Sequence, residues 1–257
     1  MTAFIYAAGR AERLGAAHGS RPKILLDIGG RSLFEWHVRR LGEIGVHRVV
    51  VITGYLREQV TRFIPGLSAR YDARIEEIVN PSYNEGSVVS VQASLPRLLE
   101  EPESVLLMDG DVVYPTAMLR RLVESSHPTV LLVDRSYSTG DNDPVLVPVR
   151  NGKPFEFRKQ WRGVADAVGE SIGFFRIAQA DLAQLAEETL QRTVGCRRRE
   201  SYDEIIRAMV LAGRFACEDV TGMPWIEIDY PEDVEHARMV ILPEILRSES
   251  ISIRTGT

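Results

Sequence analysis

Along its first half the chain alternates short runs that are apolar on both faces with amphipathic helical patterns, and few folds accommodate that alternation. The runs are Ala3–Ala7, Arg48–Thr53, Arg74–Val79, Val105–Asp109 and Thr129–Asp134. A strand apolar on both faces must be covered on both faces, which is the situation of a parallel sheet sandwiched by helices. Helical patterns fill the gaps. Leu33–Ile44 opens with the capping-box spacing Ser32-x-x-Glu35, Gly86–Leu99 follows, and Pro115–Glu124 carries proline in its first turn. The expected fold class is α/β, a Rossmann-like doubly wound, mostly parallel sheet.

Past residue 140 the pattern changes. Pro144–Arg150, an Asn151-Gly152 turn and Lys153–Lys159 predict an inserted β-hairpin. Val164–Val168 and Ser171–Ile177 read as strands. Gln179–Gln191 and Tyr202–Ala212 read as helices, the latter after Ser201-x-x-Glu204. Trp225–Ile228 reads as a strand and Pro231–Val240 as a helix. There is no repeat and no low-complexity linker.

Composition excludes several classes. At 44% hydrophobic and 26% charged, the chain has ordinary globular usage. A net charge of −5 argues against a nucleic-acid binder, which is usually basic. No apolar run approaches the roughly 18–20 residues a bilayer span needs, and Met1–Arg13 lacks a signal-peptide pattern. Two cysteines make neither a disulfide framework nor a four-ligand metal site, and the five histidines are scattered. A soluble cytoplasmic protein with no nucleic-acid or membrane partner is expected. Of 31 basic residues only Lys23, Lys153 and Lys159 are lysine, a skew that biased codon usage alone would produce and that could also mark positions needing a compact point charge.

The richest segment follows the first strand: Ala7-Ala8-Gly9-Arg10-Ala11-Glu12-Arg13-Leu14, then Arg21-Pro22-Lys23. In a doubly wound sheet this is the carboxyl edge, where ligands bind. Small residues admit close backbone approach, N–H groups can cradle phosphate, and Arg13 and Lys23 can neutralise it. The glycine spacing fits neither a Walker A loop nor a dinucleotide fingerprint. A plain small-residue turn with solvated charges is the competing reading.

These residues, with Gly29-Gly30-Arg31-Ser32-Leu33, resemble the signature of the sugar-phosphate and alcohol-phosphate nucleotidyltransferase superfamily. One position departs from it. Ala11 stands where the family usually has glycine, and alanine restricts φ. The resemblance implies a single domain over 1–257, with a nucleotide-binding half (1–135), an acceptor-binding half (136–247) and a loose tail (248–257). It assigns Ala7, Ala8 and Gly9 to the nucleotide, and Gly86 and Ser87 to its base and ribose.

Two strand ends carry acids. Leu106-Leu107-Met108-Asp109-Gly110-Asp111 ends a strand in Asp-Gly-Asp, which could be a turn or a Mg²⁺ ligand set. Trp225-Ile226-Glu227-Ile228-Asp229 ends another, and Asp229 with Glu232 could equally cap the helix at Pro231. The resemblance implies Asp111 and Asp229 as metal ligands. It places Lys159 on the acceptor phosphate, alternation putting Lys153, Phe155, Phe157 and Lys159 on one strand face. Glu170 would border the acceptor, with Trp161, Tyr202 and Trp225 as aromatic walls, although each aromatic also reads as ordinary core. The run Arg197-Arg198-Arg199 reads as a solvated face.

The Asn80-Pro81-Ser82-Tyr83, Glu170-x-x-Gly173 and Trp225-x-Glu-Ile-Asp229 segments are most similar to CTP-dependent enzymes acting on phosphocholine or aminoalkylphosphonates. The resemblance therefore implies an Mg²⁺-dependent enzyme using a nucleoside triphosphate, CTP favoured, and a small phosphate or phosphonate acceptor. A homodimer is compatible with it. A sugar- or cyclitol-phosphate nucleotidyltransferase and a non-catalytic nucleotide-binding relative are the alternatives.

Overall fold

The structure, a computed structural model, describes residues 1–15, 21–136 and 144–255. Strands β1 (Thr2–Ala7), β2 (Asp27–Ile28), β3 (Arg31–Ser32), β4 (Arg48–Thr53), β5 (Arg74–Val79), β6 (Val105–Asp109) and β7 (Val112–Val113) are followed by β8 (Val130–Asp134), β9 (Leu146–Arg150), β10 (Lys153–Pro154), β11 (Ala167–Ile177), β12 (Ala216–Asp219) and β13 (Ile226–Glu227). The helices are α1 (Leu33–Glu43), α2 (Arg57–Tyr71), α3 (Val88–Leu99), α4 (Thr116–Glu124), α5 (Leu182–Arg192), α6 (Asp203–Leu211), α7 (Pro231–His236) and α8 (Leu242–Thr255). A π-helical turn, Ala237–Ile241, joins α7 to α8.

The main sheet runs β10-β9-β11-β6-β1-β4-β5, with β8 pairing β11 and β12. Strands β6, β1, β4 and β5 are mutually parallel, and β11 runs antiparallel beside them. Period-two alternation divides their side chains between two cores. Ala3, Ile5, Val49, Val51, Leu106 and Met108 face α1, α2, α4, α7 and α8. Phe4, Val50, Ile52, Val105 and Leu107 face α3, α5 and α6. This is the mixed α/β architecture expected from the alternation.

Several local expectations change. Asn151 (φ 51°) and Gly152 (φ 73°) form the hairpin turn, but its second strand stops at Pro154. Phe157 then turns into the core while Lys153 and Lys159 stay exposed, so those residues do not share one strand face. The strands expected at Val164–Val168 and Ser171–Ile177 are one, β11, bulged between Ser171 and Phe175. The segment expected as a loose tail continues as helix α8 to Thr255, anchored by Leu242 and Ile245 in the core. Residues 256 and 257 of that tail lie outside the described residues. Among the described residues no helix is long and apolar enough to cross a membrane.

Candidate active site

Strand β1 ends at the sheet's carboxyl edge, and the chain leaves it through Ala8, Gly9 and Arg10. Ala11 then adopts the left-handed conformation (φ 53°, ψ 44°), and a short helical turn, Glu12–Leu14, follows. The loop thus keeps the backbone that suits glycine, although the residue is alanine, and it carries the strain of a Cβ there. Pro22 precedes a second short turn, Lys23–Leu25, which fixes the Lys23 backbone.

The acids arrive from two distant segments. After β6 the chain turns at Gly110 and re-enters β7. Strand β13 pairs antiparallel with β7, Glu227 opposite Val112, and the Ile228 N–H donates to the Asp111 carbonyl at 2.9 Å. That pairing brings one carboxylate oxygen from each of Asp111, Glu227 and Asp229 within 4.8 Å of one another. Glu227 was not singled out by sequence. Its signal was the spacing, because residues two apart on an extended segment share a face with Asp229.

Lys23 sits in the middle of this group. Its Nζ donates to Asp111 Oδ2 at 2.9 Å and to Asp229 Oδ1 at 2.8 Å, and Arg13 donates to Asp229 Oδ2 at 2.8 Å. The capping alternative for Asp229 does not hold. Asp233 Oδ2 accepts from the N–H groups of Asp229 (2.8 Å) and Tyr230 (2.6 Å), leaving the Asp229 carboxylate for the cleft. Burial pushes the Asp229 pKa up, but Lys23 and Arg13 outweigh it and hold the carboxyl below its ordinary range. Burial opposes protonation of Lys23, and Asp111 and Asp229 overcome it, keeping the ammonium charged. Glu227 is exposed to solvent along part of its surface, and protein crowds its carboxyl. Desolvation, then the charges of Asp111, Asp229 and Asp109, push its carboxyl well up.

Behind the acids lies a neutralised layer. Asp109 is raised well above the usual range, first by burial and then by Asp111, against a hydrogen bond of 2.7 Å donated by the Tyr202 hydroxyl. Gly173 (φ +75°) leaves room for it, since a Cβ there would lie 2.1 Å from Asp109 Oδ2. Tyr202 stacks on Tyr6 at 5.9 Å.

A cleft of about 470 Å³ is lined by Ala8, Gly9, Arg10, Ala11, Glu12, Arg13 and Lys23 on one side. Tyr83, Asn84, Glu85, Gly86, Ser87 and Ser90 line the other, with Asp229 at its end. Its size is that of a small-ligand site. Of the expected nucleotide residues, Ala8, Gly9, Gly86 and Ser87 line it. Ala7 is the last residue of β1, one step behind. Gly86 is where backbone meets backbone: a Cβ would lie 2.0 Å from the Glu200 carbonyl oxygen. Ser87 Oγ accepts from the Tyr202 N–H at 2.9 Å. The arginine run is not simply solvated, because Arg198 grips Glu85 through two hydrogen bonds, 2.6 and 2.9 Å.

The expected acceptor residues divide into three groups. Glu170 pairs across the sheet with Asp134, both buried, and the Trp225 indole N–H donates to Asp134 Oδ2 at 2.8 Å, two residues from Glu227. Tyr202 lies behind the acids, as described. Trp161 packs edge-on against Phe155, and Lys159 lines a second cleft of about 440 Å³ with Arg158, Gln160, Glu200, Ser201, Asp203 and Glu204.

Residues 3–193 match the MobA-like NTP transferase domain. The chain belongs to that family of nucleotidyltransferases. Among similar proteins, the CMP-5'-(3-aminopropyl)phosphonate synthase of Streptomyces rubellomurinus is 29% identical, over 91% of this chain and 38% of that protein. The bifunctional IPC transferase and DIPP synthase of Rubrobacter xylanophilus is 28% identical, over 93% of this chain and 52% of that one. The chain thus spans about half the length, or less, of these curated relatives. The CTP:phosphoglutamine cytidylyltransferase of Campylobacter jejuni is 20% identical over 91% of this chain and 98% of its own length. The inositol-1-phosphate CTP transferase of T. maritima superposes with a TM-score of 0.74 at 19% identity, covering 93% of this chain and 97% of that one, and shares the fold. In this MobA-like transferase the motif that carried the resemblance and the loop built from it coincide.

Proposed function

We propose that this transferase joins CMP from CTP to a small phosphate or phosphonate, such as 2-aminoethylphosphonate or phosphocholine, releasing pyrophosphate. The observation that carries the reading is the Lys23 ammonium held between Asp111 and Asp229 at the end of the Ala8–Arg13 cleft. Three relatives whose names differ in acceptor share CMP or CTP, which supports the base more than the acceptor. For the acceptor, buried Glu170 and Asp134 beside Trp225 favour a cationic group such as an ammonium.

The acceptor oxygen is already anionic, so no general base is needed. A bond forms from that oxygen to the α-phosphorus, and the bond to the bridging oxygen of pyrophosphate breaks, the electron pair leaving with it. The protein's part is alignment and charge. N–H groups of the Ala8–Ala11 loop cradle the triphosphate, and Arg13 and Lys23 take up charge on the leaving group. The donor set fits Mg²⁺, a hard cation bound by carboxylate oxygens, and Lys23 already occupies a cation's place between two of them. Asp111, Glu227 and Asp229 would hold the ion, which would neutralise the α-phosphate and the attacking oxygen.

The inositol-1-phosphate CTP transferase that shares this fold supports a second reading, a cyclitol phosphate as acceptor. One experiment separates the two: pyrophosphate release with Mg²⁺ from each of four nucleoside triphosphates, tested against phosphocholine, aminoethylphosphonate, hydroxyethylphosphonate, inositol-1-phosphate and glucose-1-phosphate. CTP with an amino-bearing acceptor is expected to give the highest rate. A preference for polyhydroxylated acceptors would replace the ammonium reading, and no release with any pair would refute catalysis. Asp111→Asn and Asp229→Asn are expected to abolish turnover with an unchanged circular-dichroism spectrum; full activity in both overturns the metal assignment.

A further inference from the structure

Arg40, on α1, is 2% exposed, and a guanidinium so enclosed requires a counter-charge. Its Nη1 donates to Thr116 Oγ1 at 3.2 Å and to the Glu249 carboxylate on α8. The same Glu249 oxygen accepts the Thr116 N–H at 3.1 Å, at the first residue of α4. Glu43 is the other acid present, accepting from Thr116 Oγ1 at 2.5 Å. Arg40 Nη2, also buried, has no partner among the described residues. A buried arginine and a helix N-terminus converging on one carboxylate form an oxyanion site, filled here by the chain's own C-terminal helix.

The site connects to the catalytic loop through direct contacts. The Arg40 guanidinium lies 5.6 Å from the Tyr114 ring centroid, and the Tyr114 hydroxyl bonds His37 Nδ1 at 3.0 Å. His37 lies against the backbone of Gly110, between Asp109 and Asp111. Tyr114 also packs edge-on on Phe174, which pairs with Met108 at the end of β6.

We propose that Glu249 is a latch. It docks α8 into the Arg40 oxyanion site, and the docked pair positions the Asp109–Asp111 loop. Arg40 and Glu249 are positioning residues, because neither reaches the cleft. The activity arm of the test rests on the function proposed above, and the docking arm does not.

The docking arm is limited trypsinolysis of the full chain after Arg247, which is exposed on α8. Glu249→Ala is expected to speed that cleavage about tenfold by populating the undocked helix. Formate at tens of millimolar should restore protection by filling the vacated site, while chloride at equal ionic strength should not. Glu244→Ala, an exposed acid on the same helix, should leave cleavage unchanged. In the activity arm, Glu249→Ala should raise the Mg²⁺ concentration for half-maximal rate about tenfold, the lower range for groups that orient metal ligands. Formate should reverse this shift too, and Glu249→Asp should show a partial shift. Wild-type cleavage rates in Glu249→Ala overturn the latch. Faster, formate-reversible cleavage with an unchanged Mg²⁺ requirement overturns the positioning role. Absence of turnover in the wild type refutes the proposed function while the cleavage result still decides the docking.

Discussion

Replacing Lys23 with methionine should move metal affinity and turnover in opposite directions. The ammonium lies 2.8–2.9 Å from one oxygen each of Asp111 and Asp229, so it competes with any ion those oxygens would bind. An ion about 2.1 Å from the same oxygens would sit within roughly 4–5 Å of the ammonium. At an effective dielectric near 20, that repulsion is about 3–4 kcal/mol per unit charge. Solvent reaches the group, with Lys23 16%, Asp111 23% and Asp229 31% exposed, and the flexible side chain can swing away. If about 1.4 kcal/mol survives, Lys23→Met binds Mg²⁺ or Mn²⁺ about tenfold more tightly without nucleotide. Turnover should nevertheless fall roughly a hundredfold or more, because one donor to the developing charge is gone. Calorimetric titration of the nucleotide-free protein with Mn²⁺, beside steady-state pyrophosphate release, reads both. Unchanged or weaker metal binding in Lys23→Met would refute the competition, and unchanged turnover would refute the phosphate role.

Ala11→Gly should relieve the left-handed alanine and stabilise the protein by about 0.5–1 kcal/mol in urea unfolding, the gain offset in part by unfolded-chain entropy; a loss of stability would contradict that backbone. Gly173→Ala should do the reverse, displacing Asp109 from Tyr202 at a cost of roughly 2–3 kcal/mol, with lower activity in the folded fraction. His37 is buried and neutral, its pKa lowered from 6.5 to about 4 by desolvation, which the Gly110 backbone hydrogen bond and Asp111 partly offset and to which Arg40 adds a little. Between those values the unfolded chain takes up a proton that the folded chain refuses, so His37 removes stability as pH falls from 6.5 towards 4. The loss is about 3 kcal/mol and levels off below the folded pKa. Urea titrations at stepped pH should show this slope flattened in His37→Gln, and an identical slope would show that His37 does not titrate in that window.

The sheet was legible because strands covered on both faces have little choice of composition. Arg48–Thr53 and Val105–Asp109 fall where apolarity placed them, and Arg74–Val79, with two glutamates and no buried residue, takes the sheet edge. Helix α2 escaped because Pro65-Gly66 in its interior reads as a break and Leu56 at its start carries no capping signal. Strand β12, Ala-Cys-Glu-Asp, has no apolar signature; β8 gives it a place. Gly169-Glu170 made β11 look like two strands, and Gly173, inside the second of them, serves Asp109. At the site, the Ala8–Arg13 loop and Asp229, which line one cleft, were readable as candidates from local motifs. Glu227, Asp134 and the grip of Arg198 on Glu85 depend on contacts between segments far apart in sequence, which no local pattern records.

The π-helical turn at Ala237–Ile241 sets a phase. Such a turn holds one residue more than the α-helical ladder needs, and an α-helix advances about 100° per residue. Deleting one residue there would let α7 run into α8 as a regular helix. Every side chain beyond it would then rotate by about 100°, carrying Leu242 and Ile245 off the core and Glu249 away from Arg40. The count of residues in that turn therefore determines which side of the last helix meets the protein, and single-residue insertions or deletions should be far less tolerated there than in the exposed turn at Asn151-Gly152.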